Sequence, residues 1–279
     1  MISPISPCLI RRSSSCRPRQ WRIIRPTATL RFFGTAGYEL VTEAGVRVVM
    51  DPYMDSNPAC PLSWSDLEQV DLVLVTHAAF DHMGEAAEIL KRDKCPVICA
   101  KDVAHNLTTV GGVDPEQIRV TIWGIPMEVA GVPVHPVESH HWSFAVTPSG
   151  ELLSGPAMGF VIDVAPGVRL YHQGDSALSY DFRLWGELYR PTHGLMVVAL
   201  PEDSLPHFEV YRGGEVNVQE AVMACQWLGL KHVIASHYQW PSHPDVQAFL
   251  QLMASHTAAG EWHPSVTAPE PGETIELRP

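Results

Sequence analysis

The stretch Val75 to Gly84 reads VTHAAFDHMG and sets His77, Asp81 and His82 within six residues of one another. Two imidazoles and a carboxylate at such spacing are ligands for a divalent cation, Zn²⁺, Mn²⁺ or Fe²⁺, with no thiolate required. The same residue types recur at the ends of other apolar runs. His140 and His141 follow VPVHPVES, Asp175 follows VRLYHQG, and His237 follows KHVIAS. Taken singly, each has a plain structural role. A histidine can bond a backbone carbonyl in the core, Asp81 can cap a helix, and Asp175 can sit in a turn. Repetition at four strand ends is what those roles leave unexplained, because strand-end loops are where a rigid scaffold mounts chemistry. A cation held there would lower the pKa of a water from about 16 to near 7, making hydroxide available at neutral pH.

The elements that would position these side chains follow from pattern. ATLRFF (28–33), YELVTE (38–43) and VRVVMD (46–51) are β-rich runs with Gly-containing turns between them, EAGV forming a hairpin turn and Asp51-Pro52 closing the third run. VDLVLVT (70–76) is nearly all apolar, as a strand buried on both faces should be. GEAAEILKR (84–92) is helical in composition and is expected to start right after His82. CPVICA reads as a strand and KDVAHNLTTV as a helix. QIRVTI, MEVAGVPVHPVES, MGFVIDV and VRLYHQG read as four further strands. Then YDFRLWGELY, VQEAVMACQWLG and PDVQAFLQLMAS read as helices, alternating with the strands GLMVVAL and KHVIASH, and the tail TAPEPGETIEL ends in a closing strand. Hairpins followed by strand–helix alternation, repeated in two halves, predict two packed sheets with helices outside.

Composition narrows the class. The chain has 279 residues, 46% of them apolar, and a net charge of −12, which argues against a nucleic-acid partner. No run approaches the roughly 20 apolar residues of a membrane span. The first 38 residues hold seven arginines (Arg11, Arg12, Arg17, Arg19, Arg22, Arg25, Arg31) and no acid, which leaves 12 basic against 31 acidic side chains, or −19, for the rest. This Arg/Ser-rich extension, residues 1–27, reads as a disordered tail or as a transit peptide, with the fold starting near Ala28. The six cysteines form no C-x-x-C pair and read as reduced core residues of a cytoplasmic protein. The alternative is an organellar location if the extension is a transit peptide.

The chain resembles the metallo-β-lactamase superfamily, whose signature is H-x-H-x-D-H after a buried strand. Within it the resemblance is to the branch with ascorbate-6-phosphate lactonase and N-acyl-phosphatidylethanolamine phospholipase D. It rests on FFGTAGYELVTEAGVRVVMDPY, THAAFDH, ESHHWS, YHQGDSALS and GGEVNVQEAV…ASHYQWP, in the family's order from about residue 28 to 245. The resemblance implies an αββα sandwich, two mixed β-sheets flanked by helices, as one domain over residues 28–279. It also implies a metal set of His77, Asp81, His82, His141, Asp175 and His237, with Asp175 bridging two positions. The family's second histidine falls on Ala79, whose methyl binds nothing. One position, with Asp81, His82, Asp175 and His237, would be complete, and the other would keep only His77, His141 and Asp175. One ion is therefore favoured and two remain open.

His140, Glu138 or His135 are the replacements in reach for the lost ligand. His140 is first among them, though neighbours on a strand face opposite ways, which sets it behind the ligands or in the core. Asp81 or Asp175 would orient the water as general base. His77 and His141 would bond the oxyanion or take a proton. His207, in a loop with Glu202, Asp203 and Arg212, would contact substrate together with Tyr238 and Trp240. The expected activity is metal-dependent hydrolysis of a small-molecule lactone, amide or ester. The alternatives are a phosphodiesterase or phospholipase-D-like hydrolase, and a non-catalytic relative that binds a metal or ligand. A homo-oligomer stays open.

Overall fold

The computed structural model describes residues 27–147, 149–199, 216–260 and 262–279. The Arg-rich extension and the His207 loop lie outside them, the extension but for residue 27. The first sheet uses β1 (Ala28–Gly34), β2 (Gly37–Val41), β3 (Arg47–Met50), β4 (Leu72–Leu74), β5 (Val97–Cys99), β6 (Ile118–Val120) and β16 (Thr274–Leu277), in the order β16-β1-β2-β3-β4-β5-β6. Its first four strands pair antiparallel and β3 to β6 pair parallel.

The second sheet uses β7 (Met127–Val129), β8 (Val132–Glu138), β11 (Met158–Ala165), β12 (Val168–His172), β13 (His193–Val197), β14 (His232–Ser236) and β15 (Ser265–Thr267), in the order β15-β14-β13-β12-β11-β8-β7. Between β8 and β11 along the chain comes a separate hairpin of β9 (Phe144–Val146) and β10 (Leu152–Ser154), against α3 (Lys101–Thr109). The sheets face each other across one apolar core, in which Leu30, Phe32, Leu40, Met50 and Leu74 meet Val134, Phe160, Ile162, Leu170 and Leu195. Against the other face of the first sheet, Ile89 and Leu90 of α2 (Ala86–Asp93) and Val103 and Leu107 of α3 (Lys101–Thr109) pack on Val49, Val73, Val75 and Val97. Three helices, α4 (Asp181–Tyr189), α5 (Val218–Leu228) and α6 (Pro244–Ala259), flank the second sheet, α5 packing on β13. The architecture is the expected αββα sandwich.

Two local expectations are corrected. A short helix α1 (Phe80–Met83) holds Asp81 and His82, and α2 begins only at Ala86, because Gly84 takes a φ of +37° against the Pro52–Tyr53 backbone. MEVAGVPVHPVES is two strands, broken where Ala130 and Gly131 both adopt positive φ, as a tight hairpin turn requires. The β9–β10 hairpin and β15 were not anticipated. No helix among the described residues is long and apolar enough to cross a membrane.

Candidate metal centre

One edge of the sandwich collects the polar strand ends. Parallel pairing sends the carboxyl ends of β3 and β4 to the same edge of the first sheet, delivering Asp51 and then His77. In the second sheet β12 and β14 do the same for Asp175 and His237, and β8, antiparallel to the intervening β11, brings His141 there. Such edges are where open α/β sheets bind ligands. The two sheets are stitched together at this edge by backbone hydrogen bonds, Met158 N–H to Thr76 O at 3.1 Å and His237 N–H to Thr35 O at 2.7 Å.

Six side chains converge there. Asp175 Oδ2 lies 3.2 Å from His82 Nε2, and Oδ1 lies 3.2 Å from His237 Nε2. Asp81 Oδ2 is 3.7 Å from His237 Nε2 and 4.0 Å from His82 Nε2. The same Oδ2 of Asp175 is also 4.0 Å from His77 Nε2 and 3.8 Å from His141 Nε2. The donor atoms form two triplets, His77–His141–Asp175 and Asp81–His82–His237, each within 4.8 Å. Ala79 precedes α1 as an extended cap residue and contributes no donor.

Hydrogen bonds behind the rings turn Nε2 inward. His82 Nδ1 donates to Asp51 Oδ2 at 2.9 Å, and His237 Nδ1 donates to the Ala199 carbonyl at 3.0 Å. His77 Nδ1 meets Thr76 Oγ1 at 3.1 Å, whose own hydroxyl donates to Asp51 at 2.8 Å. This is the outer arrangement that fixes imidazole tautomer and aim in metal sites.

Burial and charge shape the protonation of the group. Burial opposes charge on His82 and His237, yet Asp175 and its companion carboxylates outweigh it and hold both rings well above the ordinary imidazole value. Burial likewise opposes ionisation of Asp175 and Asp81, and the surrounding imidazoles overcome it, holding both carboxyls low. Burial and the neighbouring His82 push His77 down, and burial pushes His141 down. The Nε2 atoms of His77, His82 and His237 and Oδ1 of Asp175 are buried without a hydrogen-bond partner among the described residues. Orphaned buried donors and acceptors are costly. Orphans aimed at one point from both sheets, all imidazole or carboxylate, fit a divalent cation.

The family described as the beta-lactamase superfamily domain matches residues 46–238, well over half of the chain. The chain belongs to the metallo-β-lactamase superfamily. A metal-dependent hydrolase of Thermococcus onnurineus is 32% identical over 253 residues, covering 89% of this chain and 99% of its own. One of Herpetosiphon aurantiacus is 30% identical over 251 residues, covering 88% and 96%. Among solved structures, Igni18, a metallo hydrolase of Ignicoccus hospitalis, is 25% identical with a TM-score of 0.69 and coverage of 91% and 99%. An isothiocyanate hydrolase from Delia radicum gut bacteria, at 18% identity and a TM-score of 0.65 over 89% and 98%, shares the fold. This superfamily member is a metal-dependent hydrolase.

Other expected residues fall elsewhere. His140 is exposed and meets Asp181 Oδ2 at 3.1 Å, in a separate outer group with Glu138, so it neither replaces the missing ligand nor enters the core. His135 faces Asp163 at 3.7 Å. Tyr238 does not line the site: it is fully buried against Phe32, and its hydroxyl donates to Pro269 O at 2.7 Å. With φ at +66°, His237 aims its ring at the centre, while Tyr238 pairs with Thr35 and turns inward. Trp240 is half exposed. Two residues were missed, Asp51 and His172. Asp51 is fully buried, and besides His82 and Thr76 its Oδ2 accepts from His172 Nε2 at 2.8 Å. The signal was available for Asp51, since it too ends an apolar strand.

Proposed function

We propose that this metal-dependent hydrolase acts on a small-molecule lactone, amide or ester, with Asp81, His82, Asp175 and His237 holding one divalent cation. The observation that carries the one-ion reading is the difference between the two halves of the site. Around Asp175, the His82 and His237 nitrogens stand at 3.2 Å, whereas His77 and His141 stand at 4.0 and 3.8 Å and have no fourth donor at Ala79. The cation, when bound, supplies Lewis acidity and a water of lowered pKa. Asp81 or Asp175 orients the attacking water and accepts its proton. His77, whose Nδ1 donates to Thr76 Oγ1, faces the same space from the looser side with an Nε2 lone pair that can take a proton, and His141 Nε2 can hydrogen-bond the oxygen on which negative charge develops. Trp240 offers an apolar surface beyond His237. The donor set suits Zn²⁺, Mn²⁺ or Fe²⁺. The substrate class follows the lactonase-like resemblance, and the acidic body disfavours a polyanionic substrate. A reducing, cytoplasmic setting accords with the free thiols of Cys60, Cys95, Cys99 and Cys225.

Elemental analysis of purified protein, paired with turnover of generic lactones, amides, esters and bis-p-nitrophenyl phosphate, tests this reading. One tightly held ion per chain is expected, lost in Asp81→Ala and His237→Ala. Ala79→His is expected to add a second. Chelator should abolish turnover. Two tight ions in the unmodified protein would overturn the one-ion centre, and hydrolysis of the phosphodiester alone would overturn the substrate class.

A further inference from the structure

His141 differs from the other histidines of the centre. His77, His82 and His237 each have a partner for Nδ1, but the buried Nδ1 of His141 has none among the described residues. A metal-site histidine is ordinarily aimed by such a partner. Something else must therefore aim His141, and the backbone on either side of it is pinned. Upstream, His140 N–H donates to Ser176 Oγ at 3.0 Å, and Ala177 N–H donates to His140 O at 3.1 Å. Downstream, Ser143 is held through both of its oxygens. Its carbonyl accepts from Ser154 Oγ at 3.0 Å and from Gly155 N–H at 3.2 Å, closing the two ends of the β9–β10 hairpin. Its hydroxyl accepts from Ala78 N–H at 3.2 Å, beside His77, and donates to Asp102 Oδ2.

Asp102 is an unusual residue to find there. It lies in the first turn of α3 with 1% of its surface exposed, and no cationic side chain pairs with it among the described residues. Its Oδ1 has no hydrogen-bond partner among the described residues. A carboxylate kept in the interior on such terms is costly, and the helix dipole offsets only part of that cost. Gly155 leaves it room: a Cβ at that position would fall on the Asp102 carboxylate. Thr76 and Asp51 perform for His77 and His82 the task that no side chain performs for His141 directly.

We infer that Asp102 is a positioning residue that acts through Ser143 to set His141, and with it the His77 loop, against Asp175. It touches neither substrate nor cation. The inference rests on the proposed membership of His77 and His141 in the centre, and its test needs neither turnover nor a bound ion.

Long-range proton–nitrogen spectra of histidine side chains report ring environment one residue at a time. They are to be recorded on the full-length protein with and without added zinc(II), each histidine assigned by single substitution. In Asp102→Ala and Ser143→Ala the His141 signals are expected to shift or broaden, those of His77 to shift less, and those of His82 and His237 to stay in place. Gly155→Ala, which crowds Asp102 from the opposite side, should move the same signals. Asp102→Asn keeps an oxygen for the Ser143 hydroxyl and should restore the unmodified spectrum. Unmoved His141 signals in Ser143→Ala, or a uniform shift of all four histidines, would overturn the assignment. Should Asp102→Ala fail to fold, Ser143→Ala and Asp102→Asn still decide it. Absence of any zinc effect would count against the metal centre, while the zinc-free spectra still judge Asp102.

Discussion

Behind His82, Asp51 gathers three side-chain donors on Oδ2, the ring nitrogens of His82 and His172 at 2.9 and 2.8 Å and the Thr76 hydroxyl at 2.8 Å, and its Oδ1 accepts the Thr76 N–H at 2.8 Å. Burial would raise its pKa, but His82 and His172 hold the carboxyl well below the usual range, so it stays charged. Such an outer carboxylate fixes the ligand ring and strengthens it as a donor. Asp51→Asn is therefore expected to weaken zinc(II) binding about 10–100-fold, measured by calorimetric titration of the metal-free protein. Unchanged affinity would remove Asp51 from control of the centre. The converging histidines and aspartates were legible as candidates because a polar residue capping an apolar strand is anomalous wherever it occurs. Asp51 escaped notice because Asp51-Pro52 reads equally well as a turn. His172 escaped because it lies inside a strand run and its partner is 121 residues away, which no local pattern reveals.

Strands β4 and β5 were readable because they are buried on both faces, and α3, α5 and α6 because their apolar positions recur at helical spacing. The break between α1 and α2 was not, since it depends on Gly84 touching a loop more than 30 residues earlier. A side chain at Gly84 would strike the Pro52 carbonyl at a φ of +37°, while the next residue, Glu85, donates its N–H to that same carbonyl at 2.9 Å and accepts from Met54 N–H at 2.7 Å. This junction sets the angle of the one-turn helix that presents Asp81 and His82. Gly84→Ala is expected to cost about 2–5 kcal/mol, from backbone strain and overpacking together, in denaturant unfolding. A loss below that of an ordinary surface substitution would show that the junction yields. The β9–β10 hairpin was invisible for a different reason. Ala145 of its first strand is buried between exposed Phe144 and Val146, so burial alternates but all three residues are apolar, and no apolar–polar alternation marks the strand in the sequence.

Across the whole molecule, the charge that matters for acid stability includes a group far from the centre. His193 starts β13 stacked on His232, with ring centroids 4.3 Å apart. Burial, then the neighbouring His232 and Lys231, push its pKa from 6.5 down to about 4. Below about pH 6.5 the unfolded chain takes up a proton there that the folded chain refuses, so stability falls as the pH drops from about 6.5 to about 4 and then levels off. After allowance for solvent screening the loss is on the order of 1–2 kcal/mol. Thermal melts across that window should show a shallower slope for His193→Asn, and an equal slope would acquit this histidine. The fold class was legible from the order of runs alone, but the pairing of distant strand ends was not. That pairing has a consequence for synthesis. Asp51, His77, Asp81 and His82 come from the first half of the chain and His141, Asp175 and His237 from the second, with Thr35 bonded to His237 across some 200 residues. The chain emerges from the ribosome amino end first. If the proposed centre is the active one, a nascent polypeptide is chemically silent until its last quarter has appeared, and any product truncated before His237 is born without it.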